Sequence, residues 1–295
     1  SELYGCTGWD MPLNEYKRIG DWQAIFGVNM RCPHLSWYSM KGEAKRDYPA
    51  SILHQNAWWR DWKELETYFG RIGIILSEGE RKSGLLVIHP VENMWKRVRK
   101  GWLKNLAPTD GETVRLNEAF QRQCLDLIAA QHEFDYGDEE LMKKYGSVGK
   151  DGTGAFLKIG GAIYRTVLVA EEQEIRESTR RLLEKFRKLG GRVVCRVDEL
   201  ACGEVISAPE GVASAIRRIV GEAWLFLMNL SETEKSCGKV ELNAELSALY
   251  AEEWDMVDYC PRGTADLNNL SLEAGEMKIF LLKKEGAEER EEPFV

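Results

Sequence analysis

Three features that would point to common classes of protein are missing from this sequence of 295 residues. Basic residues are not in surplus: the formal net charge is −8, so a nucleic-acid partner is not expected, because phosphate binding needs a basic surface. No apolar run approaches the ~20 residues that cross a bilayer, and no signal segment opens the chain, so no membrane partner is expected. The start at Ser1 has the character of a cut within a longer protein.

Paired cysteines and phosphate-binding loops are missing as well. The cysteines number seven, are scattered along the chain and include no CxxC pair, which favours reduced thiols over a disulfide framework or a zinc site. Unpaired thiols favour a cytoplasmic location. Neither GxGxxG nor GxxxxGK[ST] follows a predicted strand, so nucleotide binding is not indicated, and no cofactor is evident. These cysteines are Cys6, Cys32, Cys124, Cys195, Cys202, Cys237 and Cys260.

What the chain does contain is an alternation of helices and strands, which predicts an α/β fold with parallel-sheet units. Residues 11–26 predict a helix with Asp10 as its N-cap, an apolar stripe at Tyr16, Ile19, Trp22 and Phe26, and an exposed Asp21. Residues 28–35 predict a strand. Apolar residues at helical spacing from Trp62 to Leu76 predict a long helix that ends at Gly79. Together these elements form a first predicted domain, residues 1–82.

Two further domains are predicted from the rest of the chain. Residues 83–212 begin with the buried-strand pattern LLVIH and continue through strand and helix cycles, which is typical of a doubly wound, flavodoxin/amidotransferase-like α/β domain. An amidotransferase would need an activated cysteine on the turn after a strand, where this chain has Ala170-Glu-Glu-Gln, so we expect no catalysis there. Residues 213–295 contain short strands and polar turns, which favour a small β-sandwich.

The first 59 residues hold the residue types that line sugar-binding clefts. Flat aromatic faces stack on the apolar face of a pyranose, while carboxylate, imidazole and hydroxyl groups fix its hydroxyls. A carbohydrate is therefore the expected partner. The candidate residues are Glu2, His34, Trp37, Tyr38, Asp47, Trp58 and Trp59.

Several segments carry a specific resemblance. The runs ELYGCTGWD, KRIGDWQAIFGVN, CPHLSWYSMKGEAKRDYP and WWRDWKELETYFGRIGIILSEG resemble the last part of the catalytic barrel in large bacterial enzymes related to glycoside hydrolase family 106, the α-L-rhamnosidase family. LLVIHPVENMW, EFDYGDEELM and KLGGRVV resemble the α/β module behind that barrel and, more distantly, the one in family 42 β-galactosidases. LFLMNLSETE and EEWDMVDY give a looser match to a sandwich domain.

The resemblance implies that the chain keeps only the end of a (β/α)8 barrel, since a whole barrel takes about 250 residues. Glu2 would then be one of the two carboxyl groups that glycoside hydrolysis needs, acting as the base of an inverting pair, and the other would lie on absent earlier strands. His34, Tyr38, Asp47 and Trp58 would bind substrate. Calcium, a homo-oligomer and an inactive isolated fragment are also implied expectations.

Each of these assignments has a plainer alternative. Glu2 can be an ordinary residue at a ragged terminus, and His34 a structural histidine at a strand end. Either tryptophan of the Trp58-Trp59 pair, or both, can be core. Asp47 can pair with the neighbouring Arg46 rather than with a sugar. The competing function is a non-catalytic carbohydrate-binding or oligomer-assembly protein.

Overall fold

The computed structural model describes residues 1–36, 41–42, 52–82, 84–97, 103–104, 107–108, 110–219 and 221–284. The fold is mixed α/β, and the chain forms two compact units. Unit 1 joins residues 1–81 to residues 204–295, and unit 2 is residues 82–203. The division into three domains at 82/83 and 212/213 stays a prediction. No helix among the described residues is long and apolar enough to cross a membrane.

Unit 1 begins with a strand, helix, strand, helix succession. Its elements are β1 (Glu2–Leu3), α1 (Leu13–Ile25), β2 (Cys32–Pro33) and α2 (Trp62–Glu78). β1 and β2 pair in parallel with α1 between them, as the alternation predicts. The strand predicted over residues 28–35 is much shorter, because Gly27 turns the chain back at φ 95° and the Val28 amide donates to the Gln23 carbonyl, so that the segment first wraps the end of α1.

The buried face of α1 differs from the predicted stripe. Tyr16, Gly20, Asp21, Ala24 and Ile25 are buried, whereas Trp22 is 51% and Phe26 45% exposed. The predicted cap is also wrong, because the helix begins after Pro12 without a side-chain cap. Small residues explain the difference: a Cβ at Gly20 would lie 2.2 Å from Cζ of Phe69, so α1 approaches α2 at a position where only glycine fits. The second helix ends at Gly79, as predicted.

The second part of unit 1 is built from strands. They are β12 (Val205–Ser207), β13 (Val212–Ile219), β14 (Glu222–Asn229), β15 (Ser236–Gly238), β16 (Glu241–Leu242), β17 (Tyr250–Asp255), β18 (Cys260–Ala265), β19 (Leu270–Leu272) and β20 (Met277–Lys283). Five of them form an antiparallel sheet in the order β13-β14-β20-β17-β18. Two small sheets, β12-β16 and β15-β19, accompany it.

Both faces of this sheet are covered near its centre. On one face, Leu225 and Phe280 pack with Val205 of β12 and Leu272 of β19 in a continuous core. Neighbouring positions on the strands, such as Trp224 and Phe226, are buried as well, because α1 and α2 lie against β13 and β14. Burial of both faces explains why β14 reads AWLFLM without polar alternation.

Unit 2 contains eleven elements of the chain between those two parts of unit 1, along with two short paired strands. They are β3 (Leu85–Ile88), α3 (Val91–Trp95), β4 (Leu103–Lys104), β5 (Ala107–Pro108), α4 (Gly111–Ala129), β6 (Asp135–Gly137), α5 (Glu139–Tyr145), β7 (Gly146–Asp151), β8 (Gly154–Ile159), β9 (Ala162–Tyr164), β10 (Thr166–Leu168), α6 (Glu177–Lys188) and β11 (Arg192–Val194).

Its centre is a parallel sheet in the order β11-β10-β3-β6. β3 is buried at every position, in keeping with its continuous apolar sequence. The glycine-rich segment predicted as a loop and hairpin forms the antiparallel sheet β7-β8-β9. The prediction that Asp138 caps the next helix is confirmed, because its side chain accepts from the Leu141 amide.

The chain leaves unit 1 and returns to it at one place. Glu80 and Arg218 exchange two backbone hydrogen bonds, of 2.8 and 2.9 Å. The Arg218 guanidinium forms a salt bridge with Glu204, the first residue after unit 2. Unit 2 is therefore an insertion whose two ends are anchored to the same residue of unit 1.

Candidate functional site

The pairing of β1 with β2 brings Glu2 and His34 to neighbouring strand ends. Glu2 is paired with Cys32 and Leu3 with Pro33. The His34 amide donates to the Leu3 carbonyl at 2.7 Å, which extends the ladder to the residue after β2. The peptide bond between His34 and Leu35 is cis. Two of the five predicted site residues thus sit on adjacent parallel strands.

Side-chain alternation divides this small sheet into a buried and an open face. Leu3 is 4% exposed, whereas Glu2 and Cys32 are exposed. Because successive residues of a strand point to opposite faces, Glu2, Cys32 and His34 share the face opposite Leu3. An ideal Cβ on Gly5 would lie 3.9 Å from Glu2 Oε1, so the carboxylate leans towards the carboxyl end of β1. Glu2 is placed where it can meet a ligand.

Two buried polar atoms of predicted site residues have no hydrogen-bond partner among the described residues. They are Nδ1 of His34 and Nε1 of Trp58. Buried polar groups are normally paired, so each is a candidate to bind a ligand. The Trp58 amide bonds to Oδ1 of Asn56, which fixes the turn before α2, while Trp59 is 41% exposed. Within the described parts of the chain, no hydrogen bond or ring contact joins Trp58 to Glu2 or His34.

The end of β1 is fastened to both helices by Tyr4. Its hydroxyl donates to the Tyr16 carbonyl at 3.0 Å and accepts from Arg31 Nη1 at 3.0 Å. Arg31, directly before β2, also pairs with Glu66 of α2 at 2.9 Å and lies over the Phe69 ring. Burial raises the pKa of Tyr4, so the hydroxyl stays protonated and keeps its donor role. This network holds β1 and β2 in register.

A second buried network, which the sequence interpretation missed, lies between α1 and α2. Asp21 was predicted to be exposed but is 1% exposed, so that prediction is wrong. Its carboxylate accepts from Lys17 Nζ at 2.6 Å and from the Tyr68 hydroxyl at 2.8 Å. Desolvation raises the pKa of Asp21 and of Tyr68. The Lys17 to Asp21 spacing of one helical turn was the available signal.

Three predicted residues lie outside the described residues: Trp37, Tyr38 and Asp47. Their roles stay predictions. No group of three or more His, Cys, Asp or Glu side chains suited to a metal ion occurs in the part of the chain that the structure describes. All seven cysteines are free.

Comparison with known proteins gives structural likeness only. No family model and no curated protein sequence matches the chain. A rhamnosidase from Novosphingobium sp. PP1Y is similar to 99% of this chain at 13% identity, with a TM-score of 0.65. A β-galactosidase from Rahnella sp. R3 is similar to 90% of it at 11% identity, with a TM-score of 0.54. A GH42 β-galactosidase from G. stearothermophilus is more distant, with a TM-score of 0.45.

These neighbours establish a fold of the kind found in glycoside hydrolases. This chain spans 31% of the rhamnosidase and 50% of the Rahnella β-galactosidase. The resemblance first noticed in the sequence motifs therefore holds at the level of the fold, and the particular family is not shown.

Proposed function

We propose that this chain is the C-terminal portion of a bacterial glycoside hydrolase, in which residues 1–82 complete a (β/α)8 barrel. The observation that carries the proposal is the parallel β1–α1–β2 unit, which sets Glu2 and His34 side by side on an open sheet face. Active sites of such barrels form at the carboxyl ends of the strands. The likeness to a rhamnosidase over 99% of the chain supports the same reading.

The surface of this part of unit 1 fits an incomplete barrel. β1 and β2 have two residues each, and no further strand pairs with them among the described residues. A two-stranded sheet is marginal alone, and barrel closure would pair both of its edges. Trp22 and Phe26 pack edge to face at 5.9 Å on the exposed side of α1, where a neighbouring barrel helix would cover them.

Within this proposal each site residue has a role. Glu2 is the general base that activates water, one of the two carboxyl groups that flank the scissile bond. His34 and Trp58 bind sugar hydroxyls through their unpaired ring nitrogens. By family resemblance, Tyr38 and Asp47 complete the substrate contacts. The proposed substrates are plant or microbial glycans with α-L-rhamnosyl linkages.

The test is the Glu2→Gln variant of the complete enzyme, assayed with an aryl rhamnoside. It keeps the shape of the side chain but removes the ionisable group, so kcat should fall by roughly 10²–10⁴. The control is Glu64→Gln on the exposed surface of α2, which should leave kcat unchanged. His34→Ala should mainly raise KM.

The isolated chain supplies the second arm of the experiment. It holds at most one of the two carboxyl groups, so we expect no substantial turnover from it. Turnover by the isolated chain that Glu2→Gln abolishes would contradict the partial barrel. Near-normal kcat in the Glu2 variant of the complete enzyme would remove the catalytic role and favour non-catalytic carbohydrate binding or assembly.

A further inference from the structure

The parallel sheet of unit 2 has a point where its connections diverge. From β3, the first strand of the sheet, the chain passes to β6 on one side, whereas β10 and β11 follow on the other side. The loops that leave β3 and β10 therefore run in opposite directions and open a crevice at the carboxyl ends of the strands. In open α/β sheets this is where ligands bind.

A cavity of about 430 Å³ occupies this crevice. Residues directly after β3, β10 and β11 form its floor, and α3 and α4 form its walls. Its volume lies within the range of roughly 300–1,000 Å³ that is usual for small-molecule sites. The lining combines apolar side chains, among them Met94, Leu116 and Phe120, with a few polar ones, among them His89 and Gln173.

Hydrogen bonds brace the walls of the cavity. Gln173 Nε2 donates to the Ile88 carbonyl at 3.1 Å, which ties the loop after β10 to the end of β3. With its amide oriented to make both bonds, Asn93 of α3 donates to the Glu174 carbonyl at 2.9 Å and accepts from the Glu174 amide at 3.2 Å. The cavity is thus formed in advance of any ligand, which lowers the entropic cost of binding.

His89 is held in a defined orientation at the cavity. Its Nδ1 accepts from the Val91 amide at 3.2 Å, so in the neutral ring the proton is on Nε2. Its ring centroid lies 5.3 Å from those of Phe120 and Tyr136, edge to face with both. The His89 and Phe120 planes meet at 74°, which forms an aromatic corner. A flat ring stacked on one of them meets the other edge-on.

The charged groups at the cavity are already neutralised by each other. Arg196 donates to Asp198 at 3.0 and 3.1 Å. Glu172 pairs with Arg115, and Glu174 pairs with Lys96. Since these cations have carboxylate partners, a phosphate or carboxylate ligand would have to displace an existing pair. The site is therefore suited to an uncharged molecule.

We propose that this cavity binds an uncharged, planar aromatic molecule, with His89 Nε2–H donating to an acceptor on the ligand and Phe120 packing against its ring. The site belongs to unit 2 and is independent of the proposed hydrolase activity. No covalent chemistry is involved.

The probe for this proposal is prodan, an uncharged fluorophore with a flat naphthalene ring and a ketone acceptor. Added to the full chain, prodan should show saturable, blue-shifted fluorescence at micromolar concentrations, and naphthoate, an anion of similar shape, should not compete. Non-saturable prodan fluorescence, or equal binding of naphthoate, would overturn the proposal.

Two tryptophan variants of α4 test the location. Asn117→Trp places an indole in the cavity and should weaken prodan binding by about tenfold or more. Gln121→Trp adds the same ring on the exposed side of the helix and should leave binding within about twofold. If circular dichroism shows that Asn117→Trp does not fold, Ala119→Trp at the rim replaces it. Unchanged binding in the filled variant would place the probe elsewhere and overturn the site.

His89→Phe tests the hydrogen bond separately. It keeps a flat ring but removes Nε2–H, so prodan should bind about two- to tenfold more weakly, the effect of one neutral hydrogen bond. The same fluorophore without its ketone should bind wild type and His89→Phe equally. Loss of both probes to the same extent would show that His89 acts by packing alone and overturn its role as a donor.

Discussion

At the scale of single residues, Asp21 is the polar group on which the α1–α2 contact depends most. Asp21→Asn keeps the size of the side chain but removes the charge that faces Lys17 and weakens the acceptor for Tyr68. We expect it to lower the free energy of unfolding by about 1–3 kcal/mol, because buried partners are left unsatisfied. Glu64→Gln on the surface of α2 should change it by less than about 0.5 kcal/mol. Urea unfolding followed by circular dichroism measures both.

The same residue predicts a dependence of stability on pH. Burial raises the pKa of Asp21, so the folded state holds its proton more tightly than the unfolded state does. Its contribution to stability must therefore fall as pH rises from the usual aspartate value of about 4 to the raised value, and then stay constant. The stability of wild type minus that of Asp21→Asn should thus increase on acidification below neutral pH. A difference independent of pH would contradict the raised pKa.

The sequence could not identify Asp21 because the apolar pattern of α1 points elsewhere. Trp22 and Phe26 are the more hydrophobic residues, yet they are exposed, whereas Gly20 and Asp21 face α2. Glu2 and His34, in contrast, could be placed beforehand, because parallel strands always release their ends on the same edge of a sheet. The unpaired nitrogens of His34 and Trp58 depend on tertiary packing, which local pattern does not encode.

At the scale of elements, the close approach of α1 to α2 gives a paired glycine test. Gly20→Ala would bring Cβ to 2.2 Å from Phe69 Cζ, so it should destabilise by about 1–3 kcal/mol in spite of the better helix propensity of alanine. Gly70→Ala in α2 meets nothing within 4 Å and should stabilise by about 0.5–1 kcal/mol. Thermal unfolding should shift in opposite directions for the two variants.

Elements with a strong periodic or fully buried pattern were predicted well, and short ones were not. α2, β3 and β14 follow their apolar patterns closely. β2 shrinks to two residues because the chain before it is committed to hydrogen bonds at the end of α1. The rearrangement of a long apparent strand into a turn and a short strand comes from such competition for backbone partners.

At the scale of the whole molecule, the insertion of unit 2 predicts that unit 1 can be isolated. Replacing residues 82–203 with a short Gly/Ser linker should leave unit 1 folded, because Glu80 and Glu204 both contact Arg218 and the loop to be closed is short. A single cooperative thermal transition and loss of prodan binding are the expected results. Absence of any cooperative transition would show that unit 1 requires the insertion.

The anchor at Arg218 also fixes an order of events during synthesis. Residues 1–81 leave the ribosome first, but Trp224, Phe226 and the rest of the sheet that covers α1 and α2 are translated only after all of unit 2. Unit 2 has its own apolar cores and can fold while the earlier segment still waits. During that interval the apolar residues of α1 and α2 lack their cover, so the nascent chain has a period in which chaperone binding or premature association is most favoured.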